Sequence, residues 1–561
     1  MLMEAPMLAG LMQQVPLTLN LVRERVAALY PDKTVVTRFP SGLHTATYSE
    51  IVGRAAGLAN FLRESGIDRG ARVATLAWNS HRHLELYLAV PCMGAVLHTI
   101  NARLSASDIA KLLDRAKDSI LFVDQSIWRT IEGHIQLPSC VRRVVVMEDE
   151  KSAGAPTSSS GVECDFYEDL LKAQPAEFDW PALNENEAAG LCYTSGTTGD
   201  PKGVLYSHRS TTLHTLACLF ADGIAMRERD VCMPAVPMFH ANGWGFPYAA
   251  LMAGAGLALP CQQTDPASLI ELIEVAKVTM ATAVPTVWTG FLEHIKSDRK
   301  AIQRIISLKR LPVGGAAVSQ SLISGFSEFG IDVTHCWGMT EISPLGLINV
   351  DRSDLDSEKR RDSRTAQGLP IPGCTLRIVD ERGNRCPHDG NASGELQINS
   401  PWAASAYFDG TLSSEGGKPD TSFVFDEGRE WLCTGDIATI DAHGYVRIVD
   451  RAKDLIKSGG EWISSQALEL QLMNHPDVRE AAVVGRADPR WQERPVACIS
   501  LRHDTPEGRA RFDAQFKPYL SEHFPKWQIP DEVSFWSDLP KGKTGKIDKS
   551  ALKRGSTDIR P

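Results

Sequence analysis

The residues Tyr193-Thr194-Ser195-Gly196-Thr197-Thr198-Gly199-Asp200-Pro201-Lys202-Gly203 combine four aliphatic hydroxyls, three glycines and one lysine. Such a string suits phosphate binding. Glycine lets backbone N–H groups approach an anion closely. Hydroxyls donate further hydrogen bonds, and the lysine adds a point charge. The string follows the apolar run Ala188-Ala189-Gly190-Leu191-Cys192-Tyr193, which reads as a buried strand end, a common place for a ligand loop. The same composition also makes ordinary surface turns. It does not make a P-loop, which needs Gly, four residues, then Gly-Lys-Ser/Thr. Here Lys202 follows Asp200-Pro201 and precedes Gly203.

Further strings carry reactive or ligating groups. Trp337-Gly338-Met339-Thr340-Glu341 sets a ring, a hydroxyl and a carboxylate close together, and alone also reads as a helix-start turn. Trp431-Leu432-Cys433-Thr434-Gly435-Asp436 ends in a carboxylate, which suits a vicinal diol because it offers only acceptors. Pro540-Lys541-Gly542-Lys543-Thr544-Gly545-Lys546 holds three lysines in seven residues, alone a basic surface loop. Pro237-Met238-Phe239-His240-Ala241-Asn242-Gly243-Trp244 brings an imidazole near an indole. Val313-Gly314-Gly315-Ala316-Ala317 is a small-residue run whose ordinary use is packing.

These strings together resemble the adenylate-forming superfamily of acyl-CoA synthetases, luciferases and peptide-synthetase adenylation domains. The first matches the family's Tyr-Thr-Ser-Gly-Thr-Thr-Gly-x-Pro-Lys-Gly signature at every position. The others follow in the family's order over nearly the whole chain. The resemblance implies that Thr194, Ser195, Gly196, Thr197, Thr198, Gly199 and Lys202 wrap the phosphates of ATP. It implies that Gly314, Gly315 and Ala316 lie along adenine, and that Trp337, with Gly338 and Met339 behind it, stacks on that base. Thr340 would contact the α-phosphate. Glu341 and Thr194 would hold Mg²⁺, a cation that prefers one or two carboxylates plus phosphate oxygens. Asp436 would accept from both ribose hydroxyls, and Arg451 would touch the same sugar. Lys546 aligns with the catalytic lysine. Two positions depart from the pattern: Trp337 stands where Tyr is more usual, and Gly542 stands where Thr is usual.

The implied chemistry has two steps. A carboxylate attacks the α-phosphorus of ATP and expels pyrophosphate, and a thiol then attacks the acyl-adenylate and releases AMP. Two anions meet in the first step, so Mg²⁺, Lys202 and Lys546 must neutralise charge. Family members reuse one site by rotating the C-terminal domain about a hinge that aligns with Lys453. Ser458, Gly459, Gly460, Glu461 and Trp462 would then line a coenzyme A tunnel. His240 would sit near the acid's carboxylate, Trp244 would gate a fatty-acid tunnel, and Gly338 would border the acyl site. The strings Arg82-His83-Leu84-Glu85, Gly94-Ala95-Val96-Leu97-His98-Thr99 and Val284-Pro285-Thr286-Val287-Trp288 are most similar to bacterial medium- and long-chain fatty-acid CoA ligases. They are equally similar to 3-methylthiopropionate ligases. Trp244 and Trp288 also read as core residues. An acyl-AMP ligase serving a carrier protein and a non-catalytic binding protein are the other readings. The first meets the matching coenzyme A segment, and the second meets the intact Lys202, Glu341, Asp436 and Lys546.

The elements that must position these groups are α/β. Arg72 to Ala77, Ile120 to Asp124 and Val144 to Met147 read as strands, and Leu84 to Ile100 reads as a helix passing into a strand. Ser105 to Lys117 reads as an amphipathic helix capped by Ser105. This order predicts parallel or mixed sheets flanked by helices. Phe246 to Pro260 reads as a buried helix and turn. Lys151 to Gly161 reads as a polar loop, and Asp409 to Glu430 as a loop elaboration. Asp351 to Arg364 reads as a solvated helix or mobile loop. By the resemblance, residues 1–449 form the large N-terminal domain, 450–454 a hinge, and 455–561 a small mobile α+β domain. The net charge of −10 argues against nucleic acid as a partner. Twelve cysteines without C-x-x-C spacing point to reduced thiols in a cytoplasmic protein. No apolar run reaches the length of a membrane span, and the N-terminus lacks the positive start of a signal peptide. Long-chain relatives pair, so a homodimer is expected by resemblance.

Overall fold

Val73-Ala74-Thr75-Leu76, Ile120-Leu121-Phe122-Val123 and Val144-Val145-Val146-Met147 are nearly continuous apolar runs. Only a sheet covered on both faces hides such strands. The computed structural model describes residues 10–148, 162–194, 201–408, 421–542 and 546–555. It places these runs in a seven-stranded sheet. Its order is Glu163–Phe166, Arg143–Met147, Asp118–Asp124, Arg72–Leu76, Val96–Thr99, Ala188–Tyr193 and Gly203–Ser207. All neighbours are parallel except the last two strands, which flank the phosphate-loop string and pair antiparallel.

A nine-stranded sheet lies alongside. It runs from Leu369–Pro370 through Leu345–Ile348, Asp332–Gly338, Arg310–Val313, Met280–Thr282, Val231–Pro234, Gly256–Leu259 and Thr34–Phe39 to Gly42–Thr47. The helix Phe246–Ala253 is followed by the strand Gly256–Leu259, so the expected helix and turn is a helix and a sheet strand. Gly254 takes a left-handed conformation (φ +75°) that ends the helix abruptly and lets the next residues pair.

The helix His81–Cys92 is buried at every residue. Its polar side chains are therefore matched. His83 bonds Thr75 (3.0 Å) and the Trp78 carbonyl (3.2 Å). Burial pushes its pKa down to about 4, which keeps the ring neutral. Arg54 donates to Glu85 at 2.7 Å, and Arg82 to Glu168 at 3.0 Å. The Arg82–Glu85 string thus serves the core. Ser105 caps Ala106–Ala116 as its sequence predicts, accepting from the Asp108 N–H at 3.2 Å.

A five-stranded antiparallel sheet follows, built from Thr375–Val379, Ser393–Asn399, Arg429–Ile440, Phe423–Asp426 and Val446–Arg451. The hairpin Phe423–Asp426/Arg429–Ile440 stands where a loop elaboration is expected. Its alternating pattern is short and rich in charge, which hides it in the sequence. Residues 409–420 of that segment and 149–161 lie outside the described residues. The charged segment 351–364 carries the helix Ser357–Ser363. A last five-stranded sheet begins at Ile456–Ser458 and has its own apolar cluster around Phe512, Phe516 and Leu520.

Trp288 is fully buried between Phe291 (centroids 5.5 Å apart) and Phe326 (6.2 Å). It belongs to the packing, not to a ligand wall. Trp288→Ala should cost about 3–5 kcal/mol of stability, read from denaturant unfolding.

Candidate functional site

The strands Ala188–Tyr193, Arg310–Val313 and Asp332–Gly338 lead at their C-terminal ends into the strings singled out above. Thr194 is the last described residue before the expected phosphate-binding string. Its N–H donates to the Lys202 carbonyl at 2.8 Å, and its hydroxyl accepts from the Lys202 N–H at 3.4 Å. These bonds close the neck of the loop. Arg115 holds the returning arm by donating to the Pro201 carbonyl at 2.8 Å. Ser195, Gly196, Thr197, Thr198 and Gly199 lie outside the described residues.

Beside the neck, Thr340, Glu341 and Ile342 form one turn of 3₁₀ helix. The Thr340 carbonyl accepts from the Tyr206 hydroxyl at 2.8 Å. Glu341 is 8% exposed, and its Oε1 accepts from the Tyr407 hydroxyl at 2.8 Å. Oε2 has no partner among the described residues. Those residues hold no cluster of three or more His, Cys, Asp or Glu side chains able to ligate a metal. One carboxylate beside a phosphate loop fits a Mg²⁺ that shares its ligands with phosphate. Gly338 cannot carry a side chain, because a methyl there would lie 2.0 Å from the Pro344 carbonyl oxygen. Met339 packs partly buried behind the turn.

Trp337 is 9% exposed, and its indole N–H donates to Asp436 Oδ2 at 2.8 Å. Arg451 takes the other oxygen, Oδ1, at 2.6 Å. The residue expected to stack on a base therefore also orients the carboxylate expected to hold the sugar. Tyrosine at this position would present an oxygen in place of the N–H. Burial raises the pKa of Asp436, while Arg451, the Trp337 hydrogen bond and Lys546 oppose that rise.

Lys546 stands over the same cleft. A methyl on Gly315 (φ +81°) would lie 3.2 Å from Val284, 3.5 Å from the Trp244 ring and 3.6 Å from Lys546 Cε. Gly315, Trp244 and Lys546 thus meet, with Gly314 and Ala316 in the same turn. Burial of the amine, then repulsion from Arg451, lowers the Lys546 pKa to about 8 against the pull of Asp436. His240 lies within electrostatic reach of Lys546. Burial, then Lys546 and Arg103, push its pKa down to about 4, so the ring is neutral.

Residues 241–245 all have positive φ: 44°, 53°, 60°, 56° and 73°. A left-handed turn costs about 1–2 kcal/mol at each non-glycine residue. Asn242 helps hold it, its side-chain oxygen accepting from Cys192 Sγ at 3.2 Å and Thr99 Oγ1 at 3.4 Å. The turn carries Trp244 into contact with Gly315. Trp244 therefore lines the cleft, unlike Trp288.

The predicted coenzyme A segment belongs to the C-terminal five-stranded sheet. Ile456–Ser458 and Glu461–Ile463 form a hairpin whose two-residue turn, Gly459 and Gly460, has φ of 63° and 92°. That turn demands glycine by itself. Ser458 accepts from Arg494 at 3.1 Å, and Trp462 is exposed beside Lys457. Lys453 sits exposed in the turn after Arg451. Sequence reading missed Arg103, Arg115, Tyr206 and Tyr407. No short string marks them, since each acts across a contact made by folding.

Residues 23–408 match the model of the AMP-binding enzyme family, and residues 467–546 match that of the AMP-binding enzyme C-terminal domain. The chain is 43% identical over 540 residues to a long-chain-fatty-acid–CoA ligase of Thermus thermophilus, covering 94% of each. It is 39% identical over 559 residues to a 3-methylmercaptopropionyl-CoA ligase of Ruegeria pomeroyi, covering 98% of this chain and 99% of the relative. Its fold matches the crystal structure of the anthranilate CoA ligase AuaEII with a TM-score of 0.82 at 24% identity, over 97% and 98% of the two chains.

Trp337→Phe keeps a ring and deletes the N–H that orients Asp436. A lost hydrogen bond to a carboxylate should weaken ATP binding about tenfold, read by titration calorimetry. Unchanged affinity would remove the orienting role.

Proposed function

The chain belongs to the AMP-binding enzyme family and is an AMP-forming acyl-CoA synthetase; we propose that its acid is a medium- or long-chain fatty acid. The observation that carries the mechanism is the meeting of Lys546 with Gly315 and Trp244, in electrostatic reach of neutral His240 and of Asp436. One cation there faces both the nucleotide side and the acyl side.

In the proposed first step a carboxylate oxygen of the acid bonds to the α-phosphorus of ATP. The bond from that phosphorus to pyrophosphate breaks. Lys202 at the loop neck and Lys546 offset the charge of the two anions. Bound Mg²⁺, held by Glu341 with Thr194 nearby, would supply further neutralisation. Thr340 is assigned to the α-phosphate. Asp436 and Arg451 hold the ribose, and Trp337, Gly314, Gly315 and Ala316 border the adenine. Neutral His240 adds no competing charge and can donate or accept a single hydrogen bond at the carboxylate. In the second step the thiol sulfur bonds to the acyl carbon, AMP leaves, and the thiol proton goes to solvent.

Lys546 in the cleft supports an arrangement suited to the first step. For the second, the proposed C-terminal domain (455–561) turns about Lys453 within the 450–454 hinge and brings Ser458 to Trp462 to the acyl group. A second reading, a short thioether acid, is favoured by the 39% identity to the 3-methylmercaptopropionyl-CoA ligase over both full lengths. Pairing into a homodimer and a cytoplasmic location belong to the same proposal. No helix among the described residues is long and apolar enough to cross a membrane.

Acid-dependent pyrophosphate release should lose kcat/KM as pH rises through about 8, because Lys546 is charged below that pH and neutral above it. Lys546→Ala should be slower by about a hundredfold and should lack this limb. AMP release with and without coenzyme A, across propionate, 3-methylthiopropionate, octanoate, palmitate and benzoate, tests the substrate. A coenzyme A-dependent peak at octanoate or palmitate supports the fatty-acid reading. A peak at 3-methylthiopropionate transfers it to the thioether acid. Pyrophosphate release without acyl-CoA would favour a carrier-protein acceptor, and no turnover would favour a binding protein.

A further inference from the structure

Tyr407 touches both charged groups at the mouth of the phosphate loop. Its hydroxyl donates to Glu341 Oε1 at 2.8 Å. Its ring lies under the Lys202 ammonium, 4.3 Å from ring centre to Nζ. The backbone around it is tied to the same two places. The Ala404 N–H donates to the Glu341 carbonyl at 2.7 Å, and the Phe408 N–H to the Gly203 carbonyl at 2.8 Å. Phe423 packs edge-on against the ring at 5.4 Å. The segment thus leaves the strand Ser393–Asn399 and crosses the cleft mouth with its backbone pinned on both sides.

We propose that Tyr407 is a positioning residue that keeps Lys202 and Glu341 as two separate anchors, one for phosphate and one for the divalent cation. The proposal rests on the roles given to Lys202 and Glu341 above. A lysine on a flexible stem beside a carboxylate tends to pair with it, and such a pair offers ATP neither charge. The tyrosine ring occupies the lysine by a cation–π contact that a phosphate can outcompete. The hydroxyl fixes one carboxylate oxygen and leaves the other for the cation.

The test uses the full chain, ATP and MgCl₂. Titration calorimetry reads ATP affinity in EDTA and across a MgCl₂ series, without acid or coenzyme A, and thermal melting checks the fold. Tyr407→Phe keeps the ring and loses the hydroxyl. ATP affinity in EDTA should stay within twofold of the parent, while the MgCl₂ needed for half-maximal tightening rises about tenfold. Tyr407→Leu loses both contacts, so ATP binding in EDTA should also weaken about threefold. The phenylalanine variant decides alone if the leucine variant fails to fold, because it keeps the packing on Phe423. Equal weakening with and without MgCl₂, or no change in the phenylalanine variant, overturns the proposal. Lys202→Ala and Glu341→Gln are measured in parallel. If these leave ATP and MgCl₂ dependence untouched, the roles of Lys202 and Glu341 fall, and Tyr407 falls with them. If they act and Tyr407 does not, only Tyr407 falls.

Discussion

Two anions must be brought into bonding contact, and the cations that permit it must not be spent on the protein's own carboxylates. That constraint organises the cleft. Asp436 attracts Lys546, and Arg451 and Trp337 already engage its two oxygens. Glu341 is engaged on one oxygen by a neutral hydroxyl. Lys546 is left with its pKa lowered to about 8 by burial and by Arg451, against the pull of Asp436. At an effective dielectric of about 20, two unit charges 4 Å apart interact by about 4 kcal/mol. A lysine locked in such a pair would pay that back before it could meet a ligand.

The backbone carries the second half of the arrangement. The loop neck is closed by Thr194 and Lys202 and braced by Arg115. The acyl-side turn at 241–245 holds five consecutive left-handed residues, three of them not glycine. Such strain persists only where the surroundings over-determine it. Here Cys192 and Thr99, both on strands of the seven-stranded sheet, hold Asn242. Cys192 lies two residues before Thr194, so one strand end leads to Thr194 and also holds the turn bearing Trp244. In the proposed reading, that shared strand couples the nucleotide side of the cleft to its acyl side.

The sequence displayed much of this and withheld the rest for physical reasons. Continuous apolar strands, the Ser105 cap and the ordered motifs were legible because they are local. The hairpin at 423–440 was hidden because exposed antiparallel strands tolerate charge at most positions. Trp244 and Trp288 looked alike as indoles in apolar strings. Only the left-handed turn separates them, by carrying one to the cleft while the helix Pro285–Ser297 turns the other inward. Glycines 459 and 460 read naturally as room for a ligand arm, yet a two-residue hairpin already requires them. Tyr407 had no legible signal. It lies more than sixty residues from Glu341 and about two hundred from Lys202, and its meaning exists only in the contacts.

In the proposed two-step reading, the junction between the two domains must hold Lys546 in place and still release it. No described apolar cluster bridges residues before and after Ile456; the C-terminal clusters are built from that side alone. The bonds across the junction are polar. Asp450 Oδ2 accepts from the Ser465 N–H and hydroxyl, each at 2.6 Å, while Ser464 and Gln466 donate to the Val449 and Ile448 carbonyls. Arg502 pairs with Glu293 at the surface. Water replaces such bonds at a net cost of about 1 kcal/mol each. Separating a shared apolar core would instead cost about 25 cal/mol for every Å² exposed. A polar junction therefore suits the proposed pivot at Lys453. It gives Lys546 a defined position while the cleft awaits an acid, and it can be exchanged for another set of polar contacts when the acyl group must meet a thiol.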